Sequence, residues 1–259
     1  MALGAPRRSA FAAIVANVRH NKLKASALSP SIIQLSYLSV KPMSLVIWIL
    51  AFVVAITIHE ASHAWMADRL GDPTPRLNGR LSLNPLVHYD PIGTTLLLVL
   101  VILRALGAPV IPFGWAKPVG FDPYNLRHPR RDAALISFAG PGANLILAAL
   151  LSIIIRLIPG GFSPFSYYLN LFYPFIILNV VLAIFNLIPI HPLDGGKVLV
   201  GLLPKGQARE VDLFLTRYGL ILLLFLIFPT FGGVSIFSLV VAPVLNFILT
   251  ILVPGTPVI

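Results

Sequence analysis

Long apolar runs dominate the pattern of hydrophobic and polar positions along this chain. A stretch at 92–113 is also apolar, but it is interrupted by Arg104, Gly107, Pro109 and Pro112, so its path is ambiguous. The other runs are long enough to cross a hydrocarbon core of about 30 Å. They cover residues 44–65, 133–158, 171–190, 213–229 and 234–253, and we count the last two as one hairpin.

The composition supports a membrane protein and limits the chemistry open to it. The chain is 57% hydrophobic and only 11% charged, which is typical of a polytopic membrane protein. It has no cysteine, so a metal must be held by His, Asp or Glu. The net charge of +10 comes from residues between apolar runs, without aromatic residues for stacking on bases. We interpret these charges as topology signals and expect no nucleic-acid partner.

The first run ends in a sequence with recognisable chemistry, His59-Glu60-Ala61-Ser62-His63. On a helix the two imidazoles project from one face and can share a metal, and Glu60 can act on water beside them. Such a match on a soluble helix is commonly a pair of surface histidines with a salt-bridging glutamate. Inside a bilayer, however, an ionisable group costs about 2.5–3.5 kcal/mol at the helix centre, so the context favours a functional site.

The topology follows from the depth of this motif and from the charges. His59 lies about 21 Å along a helix from Leu45, near the face where the first span ends. The polar sequences at 140–144 and 186–196 reach the same face only if 92–113 dips in and returns. Most Lys and Arg residues after position 42 then lie on that face, which predicts a bacterial cytoplasmic membrane with the site near the cytosol.

Several residues compete to complete a metal site. Asp194 can be the third ligand, leaving a fourth position for water, or it can cap the helix that restarts after Pro192. His191, His88 and Asp90 are rival ligands. We favour Asp194, because prolines on both sides of His191 direct that histidine into a turn.

Two asparagines lie in apolar runs near these residues. Asn186 can bond a neighbouring helix, or it can donate to the oxyanion of a tetrahedral intermediate. Asn144 ends a Gly-Pro-Gly sequence that suits close helix packing, and it is also a candidate for substrate contact.

Residues 76–85 alternate apolar and polar side chains, which predicts a short β-strand or hairpin beside the site. Leu81 and Leu83 would lie on its edge, and an unwound substrate could add there as a further strand. This segment and the re-entrant stretch form the small element expected after the first core helix.

The pattern therefore predicts an all-α polytopic membrane protein with three units. Residues 43–204 form a three-span core and 205–259 a C-terminal helical hairpin. Residues 1–42 carry six basic and no acidic side chains, which conflicts with the predicted topology. This extension is explained by translation that starts at Met43, by a presequence, or by a basic arm on the membrane surface.

Several of these motifs, in this order, resemble the site-2 protease family of intramembrane zinc metalloproteases (peptidase family M50), in particular its compact branch without a PDZ domain. The similarity runs from about 45 to 203 and rests on the sequences at 59–63, 79–85, 113–119, 140–144 and 186–196. It implies one Zn²⁺ held by His59, His63 and Asp194, with Glu60 as general base and Asn186 stabilising the transition state. His191 departs from the apolar residue or proline expected there.

The resemblance implies hydrolysis of peptide bonds in or near membrane-spanning helices of tethered protein substrates. The main alternative is a transporter or channel that uses the same His and Asp residues to bind a permeating metal. Against it, the sequence has no internal repeat, and Glu60 has no evident role in transport. A silent zinc-stabilised scaffold is a third possibility, but it would not require Glu60.

Overall fold

A computed structural model describes residues 42–105, 114–157, 170–228 and 235–253, and the statements below concern these residues. The predicted N-terminal extension lies almost wholly outside them. Three short 3₁₀ turns, Pro85–His88, Pro123–Asn125 and Asn170–Phe172, connect the α-helices. The helices are α1 Pro42–Arg69, α2 Thr74–Leu77, α3 Gly93–Ala105, α4 Pro129–Leu157, α5 Tyr173–Asn186, α6 Asp194–Leu202, α7 Lys205–Ile227 and α8 Ile236–Leu252.

Two of these helices are long and apolar enough to cross a membrane, Leu45–Arg69 of α1 and Pro129–Leu157 of α4. Apolar but shorter helices are Gly93–Leu103, Tyr173–Asn186 and Ile236–Leu252. The predicted all-α class agrees with this part of the chain, whereas the three-span core stays a prediction.

Helix α4 lies at the centre of the described fold and packs against α1, α5 and α6. It begins at Pro129, where a missing backbone N–H costs no helical hydrogen bond, and the Asp132 carboxylate accepts the His128 N–H at 2.8 Å. One apolar core joins α4 to α5 and α8, and its buried residues include Ala148, Ile155, Ile176, Val180, Leu245 and Leu249. Near the C-terminal end of α4, Ser152 donates to the Leu252 carbonyl at 2.6 Å, which holds the last residue of α8 against α4.

The predicted β-hairpin at 76–85 is wrong, since the structure has no strand among the residues it describes. Instead the chain turns at Gly79, whose φ of +68° suits glycine, and Arg80 N–H returns to the Pro75 carbonyl at 2.8 Å. The Arg80 guanidinium and the His88 ring also donate to carbonyls within the loop, those of Val87 and Ser82. These local hydrogen bonds take the place of hydrogen bonds between two strands. An isolated pair of strands is only marginally stable in water.

Described residues on the two sides of the 106–113 gap lie close together. A methyl group added at Gly114 would overlap the Gly93 carbonyl oxygen, and Thr94 Oγ1 donates to the Trp115 carbonyl at 3.2 Å. Residues 93–94 and 114–115 are therefore adjacent, and the re-entrant path between them stays a prediction. Residues 106–113 lie outside the described residues.

Candidate metal centre

Two helices bring the predicted ligands together. His59 and His63 lie one turn apart on α1, and Asp194 is the first residue of α6. Asp194 Oδ2 is 3.1 Å from His59 Nε2 and 3.2 Å from His63 Nε2. One candidate ligand atom from each residue lies within 4.8 Å of the other two. Both histidines are buried, whereas Asp194 is partly exposed to the adjoining cavity.

The hydrogen bonds of the imidazoles show that this cluster suits a cation. His63 Nδ1 is 2.7 Å from the Ile136 carbonyl oxygen, and His59 Nδ1 is 2.7 Å from Asn144 Oδ1. Both partners are acceptors, so each Nδ1 carries a proton and each Nε2 faces the Asp194 carboxylate. Two Nε2 lone pairs facing one carboxylate oxygen would repel it, so the three atoms need a positive charge among them, either a proton or a metal ion. Two imidazoles and a carboxylate are also a common ligand set of catalytic zinc.

Asn144 belongs to a buried amide network behind His59. Its Nδ2 donates to the Ala55 carbonyl at 2.9 Å and to Asn179 Oδ1 at 2.6 Å. Asn179 in turn donates to the Phe175 carbonyl at 2.7 Å, and both asparagine side chains are 0% exposed. Because Nδ2 has two acceptors, Oδ1 must face His59 and fixes its tautomer. This position is closed to a substrate, so the suggested substrate contact of Asn144 does not fit the structure.

We expect Asn144→Ala to weaken zinc binding by about 10–100-fold, the usual cost of losing a partner that orients a metal-bound histidine. The variant leaves His59 free to rotate and leaves Asn179 without its donor. Competition with a chromophoric chelator measures the affinity, and Asn246→Ala on α8 is the control. Unchanged zinc affinity in Asn144→Ala would show that the network has no role at the metal.

Gly140 allows α4 to approach the two histidines. A Cβ at this position would lie 2.5 Å from His63 Nε2 and 2.9 Å from His59 Cε1. No side chain larger than hydrogen fits there without displacing the rings. The close packing predicted for the sequence at 140–144 therefore occurs directly against the candidate ligands.

Glu60 and Asn186 face a cavity of about 430 Å³ next to the cluster. Val119 N–H donates to Glu60 Oε2 at 3.1 Å, and Asn186 Nδ2 donates to the Leu182 carbonyl at 3.0 Å. One wall of this cavity consists of the loop at 114–121. Its lining residues are Gly114, Trp115, Ala116, Pro118, Val119 and Phe121.

Leu81 and Leu83 do not line this cavity. They border a separate groove of about 310 Å³ formed with Ile58, Ala61, Ser62 and Trp65, on another face of α1, and Leu83 is 69% exposed. An edge strand at 80–84 next to the metal is therefore wrong, and the 114–121 loop takes that place. The motif at 113–119 indicated an element here, but nothing in the sequence indicated its position over Glu60.

Asp72 fixes the far end of this loop. Its carboxylate is buried and accepts from the Asp122 N–H at 2.7 Å, Asn125 Nδ2 at 2.8 Å and the Thr74 hydroxyl at 2.6 Å. Burial alone would raise the pKa of Asp72, but the hydrogen bonds from Thr74, Asn125 and Asp122 outweigh it and lower the pKa below its usual value. The carboxylate therefore stays charged and ties the end of α1 to the loop.

The rival ligands lie outside the cluster. His191 Nε2 is 3.1 Å from Asp212 Oδ1 on α7. His88 is buried and its Nε2 donates to the Ser82 carbonyl at 2.9 Å, while Asp90 accepts the N–H groups of Ile92 and Gly93 at the start of α3. Asp194 is thus the carboxylate that the structure brings to the two histidines.

Comparisons with known proteins agree with this arrangement. The model of peptidase family M50 matches residues 47–167 and 161–226. "Putative zinc metalloprotease YwhC" of Bacillus subtilis is 36% identical over 211 residues, which cover 79% of this chain and 89% of that protein. "Putative zinc metalloprotease Rip2" of Mycolicibacterium smegmatis is 33% identical over 163 residues, 61% of this chain and 59% of that protein. No solved structure matches the chain.

This chain belongs to peptidase family M50. The predicted resemblance to the site-2 protease family is confirmed, and so is the predicted class of function, a membrane metalloprotease. The transporter alternative is not favoured.

Proposed function

We propose that this chain is a zinc-dependent endopeptidase that cleaves peptide bonds in or near the membrane-spanning helices of other proteins. The observation that carries the proposal is the convergence of His59, His63 and Asp194 at one point, with Glu60 beside them on the same cavity. The names of the relatives support zinc as the metal. We propose one zinc ion per chain, because the described residues hold a single such cluster.

Glu60 acts as the general base in this proposal. When bound, zinc supplies Lewis-acid chemistry, which lowers the pKa of water and polarises a carbonyl. Glu60 takes the proton from the attacking water and later passes it to the leaving amine. Val119 N–H holds Oε2 of Glu60 at 3.1 Å, which leaves Oε1 free to move the proton.

Asn186 stabilises the oxyanion. Its Nδ2 carries two hydrogens, and one of them is used by the Leu182 carbonyl at 3.0 Å. The second is available to a developing negative charge in the cavity, which Asn186 lines together with Asp194. A donor fixed by its own helix needs little reorganisation when the charge forms.

The size of the cavity bears on the form of the substrate. A volume of about 430 Å³ holds a few residues of extended chain, whereas a helix with its side chains is about 10–12 Å wide. A membrane-spanning substrate must therefore unwind locally before its peptide bond reaches Glu60. The distribution of Lys and Arg supports a site near the cytosolic face of a bacterial cytoplasmic membrane.

Removal and return of the metal test this proposal. We expect the purified protein to cleave a single-span test substrate, to lose that activity with a zinc chelator, and to regain it when zinc is added back. Product masses identify the cleaved bond. Cleavage that persists in protein shown by elemental analysis to lack metal would contradict the assignment.

A further inference from the structure

Lys197 lines the cavity next to the cluster of His59, His63 and Asp194. Among the described residues that line the cavity it is the one Lys or Arg. It lies three residues after Asp194 on α6, so both side chains project from the same face of that helix. Lys197 is exposed, and its ammonium group is thus open to a molecule that enters the cavity.

The ammonium group is positioned by an aromatic ring. Lys197 Nζ lies 4.9 Å from the centre of the Phe121 ring, within the range of a cation–π contact. Phe121 packs against a buried cluster of Ala67, Leu126 and Ile136. The ring is therefore held by the fold, and it keeps the charge of Lys197 at the cavity wall.

The acidic groups of the cavity form no ion pair with Lys197 in the described part of the chain. Asp194 contacts His59 and His63, and Glu60 accepts the Val119 N–H. Within the part of the chain that the structure describes, no carboxylate lies within ion-pair distance of Lys197. A cation–π contact leaves the ammonium donors free, and an unpaired cation in a partly enclosed cavity attracts an anion more strongly than one in open water.

We propose that Lys197 binds a carboxylate of the substrate close to the bond that is cleaved. This inference rests on the proposed protease function and adds a substrate preference to it. A peptide offers this chemistry from two sources, an acidic side chain or the carboxylate at a chain end. Lys197 then discriminates between substrates without touching the reacting atoms, and its three donors form a charge-assisted hydrogen bond with either source.

The test uses substrates that differ in one charge. Single-span substrates carry Glu, Gln or Lys at each of the three positions on either side of the cleaved bond, and a second set ends near that bond with a free or an amidated C-terminus. For wild-type protein we expect kcat/KM to be about tenfold higher with Glu than with Gln at one position, or with the free terminus than with the amide. These two arms separate the two sources of the carboxylate.

Variants of Lys197 identify the residue responsible. Lys197→Glu should reverse the preference in favour of the Lys substrate, Lys197→Gln should remove it, and Lys197→Arg should retain it. Lys205→Glu makes the same charge change on α7 outside the cavity lining, and it should behave as wild type. Zinc content and the elution profile of each variant report whether the fold is intact.

A purely structural role for Lys197 predicts a different result. All substrates would then lose activity by the same factor in Lys197→Glu, and the order of preference would not change, which would overturn the inference. Equal wild-type rates on the Glu, Gln and Lys substrates would also overturn it, while leaving the protease function intact. Affinities for the same peptides, measured on Glu60→Gln and on Glu60→Gln with Lys197→Glu, decide the charge preference without relying on cleavage.

Discussion

Glu60→Gln is expected to abolish proteolysis while zinc content stays near that of the wild type. The amide cannot take a proton from water, and the loss should be at least the 10²–10⁴-fold that removal of a general base usually causes. Zinc is retained because Glu60 is not part of the cluster of His59, His63 and Asp194. Gln has the same shape, and its side-chain oxygen can still accept the Val119 N–H that Glu60 Oε2 accepts in the structure.

The measurement compares initial rates of cleavage of one substrate with zinc per mole of purified protein. Glu210→Gln on α7 is a suitable control, because it makes the same change outside the residues that line the cavity. We expect Glu210→Gln to cleave at the wild-type rate. Substantial cleavage by Glu60→Gln would show that another group is the base.

The cluster of His59, His63 and Asp194 could be predicted from the sequence for two reasons. The histidines are close together in the chain, and few residues could serve as the third ligand. His59, Glu60 and His63 lie within one turn of helix, so their spacing alone places both imidazoles on one face. Asp194 is distant in the chain, but few carboxylates lie close to an apolar run, and the alternatives were few. The long apolar runs predicted the helices for a related reason. A backbone that crosses a bilayer must satisfy its own hydrogen bonds, and a single apolar run can do this only as a helix.

The segment at 76–85 shows where such reasoning fails. Its alternation of leucines with polar residues is the pattern of a strand, but a strand needs a partner, and partners depend on distant parts of the chain. The polar groups of this segment instead form local hydrogen bonds through Arg80 and His88. A short period-two pattern is weak evidence when a glycine such as Gly79 can turn the chain.

The amide network behind His59 was hidden for a different reason. Asn144 and Asn179 are 35 positions apart, and only the packing of α4 on α5 brings their amides to 2.6 Å. The available signal was an uncharged polar residue inside an apolar run, which indicates an internal partner but not which one. The position of the 114–121 loop over Glu60 likewise depends on distant contacts, those of Gly93 and Thr94 at one end and of Asp72 at the other.

Asp194→Ala should remove both bound zinc and activity, whereas His191→Ala should retain most of each. Without the carboxylate, the Nε2 atoms of His59 and His63 remain as a two-ligand site, short of the three protein ligands of catalytic zinc. We expect the zinc affinity to fall by at least about 100-fold, more than for loss of a residue that only orients a ligand. His191 is three residues away in the same connection, but its Nε2 contacts Asp212 and not the cluster.

His191→Ala is therefore a matched control for damage to this connection. A variant that merely disturbs the turn before α6 would affect both substitutions alike, whereas loss of a ligand affects Asp194→Ala alone. Zinc per mole of each purified variant and the rate on one single-span substrate separate these outcomes. The reverse pattern, with zinc lost in His191→Ala and kept in Asp194→Ala, would make His191 the third ligand and would require the connection to rearrange when the metal binds.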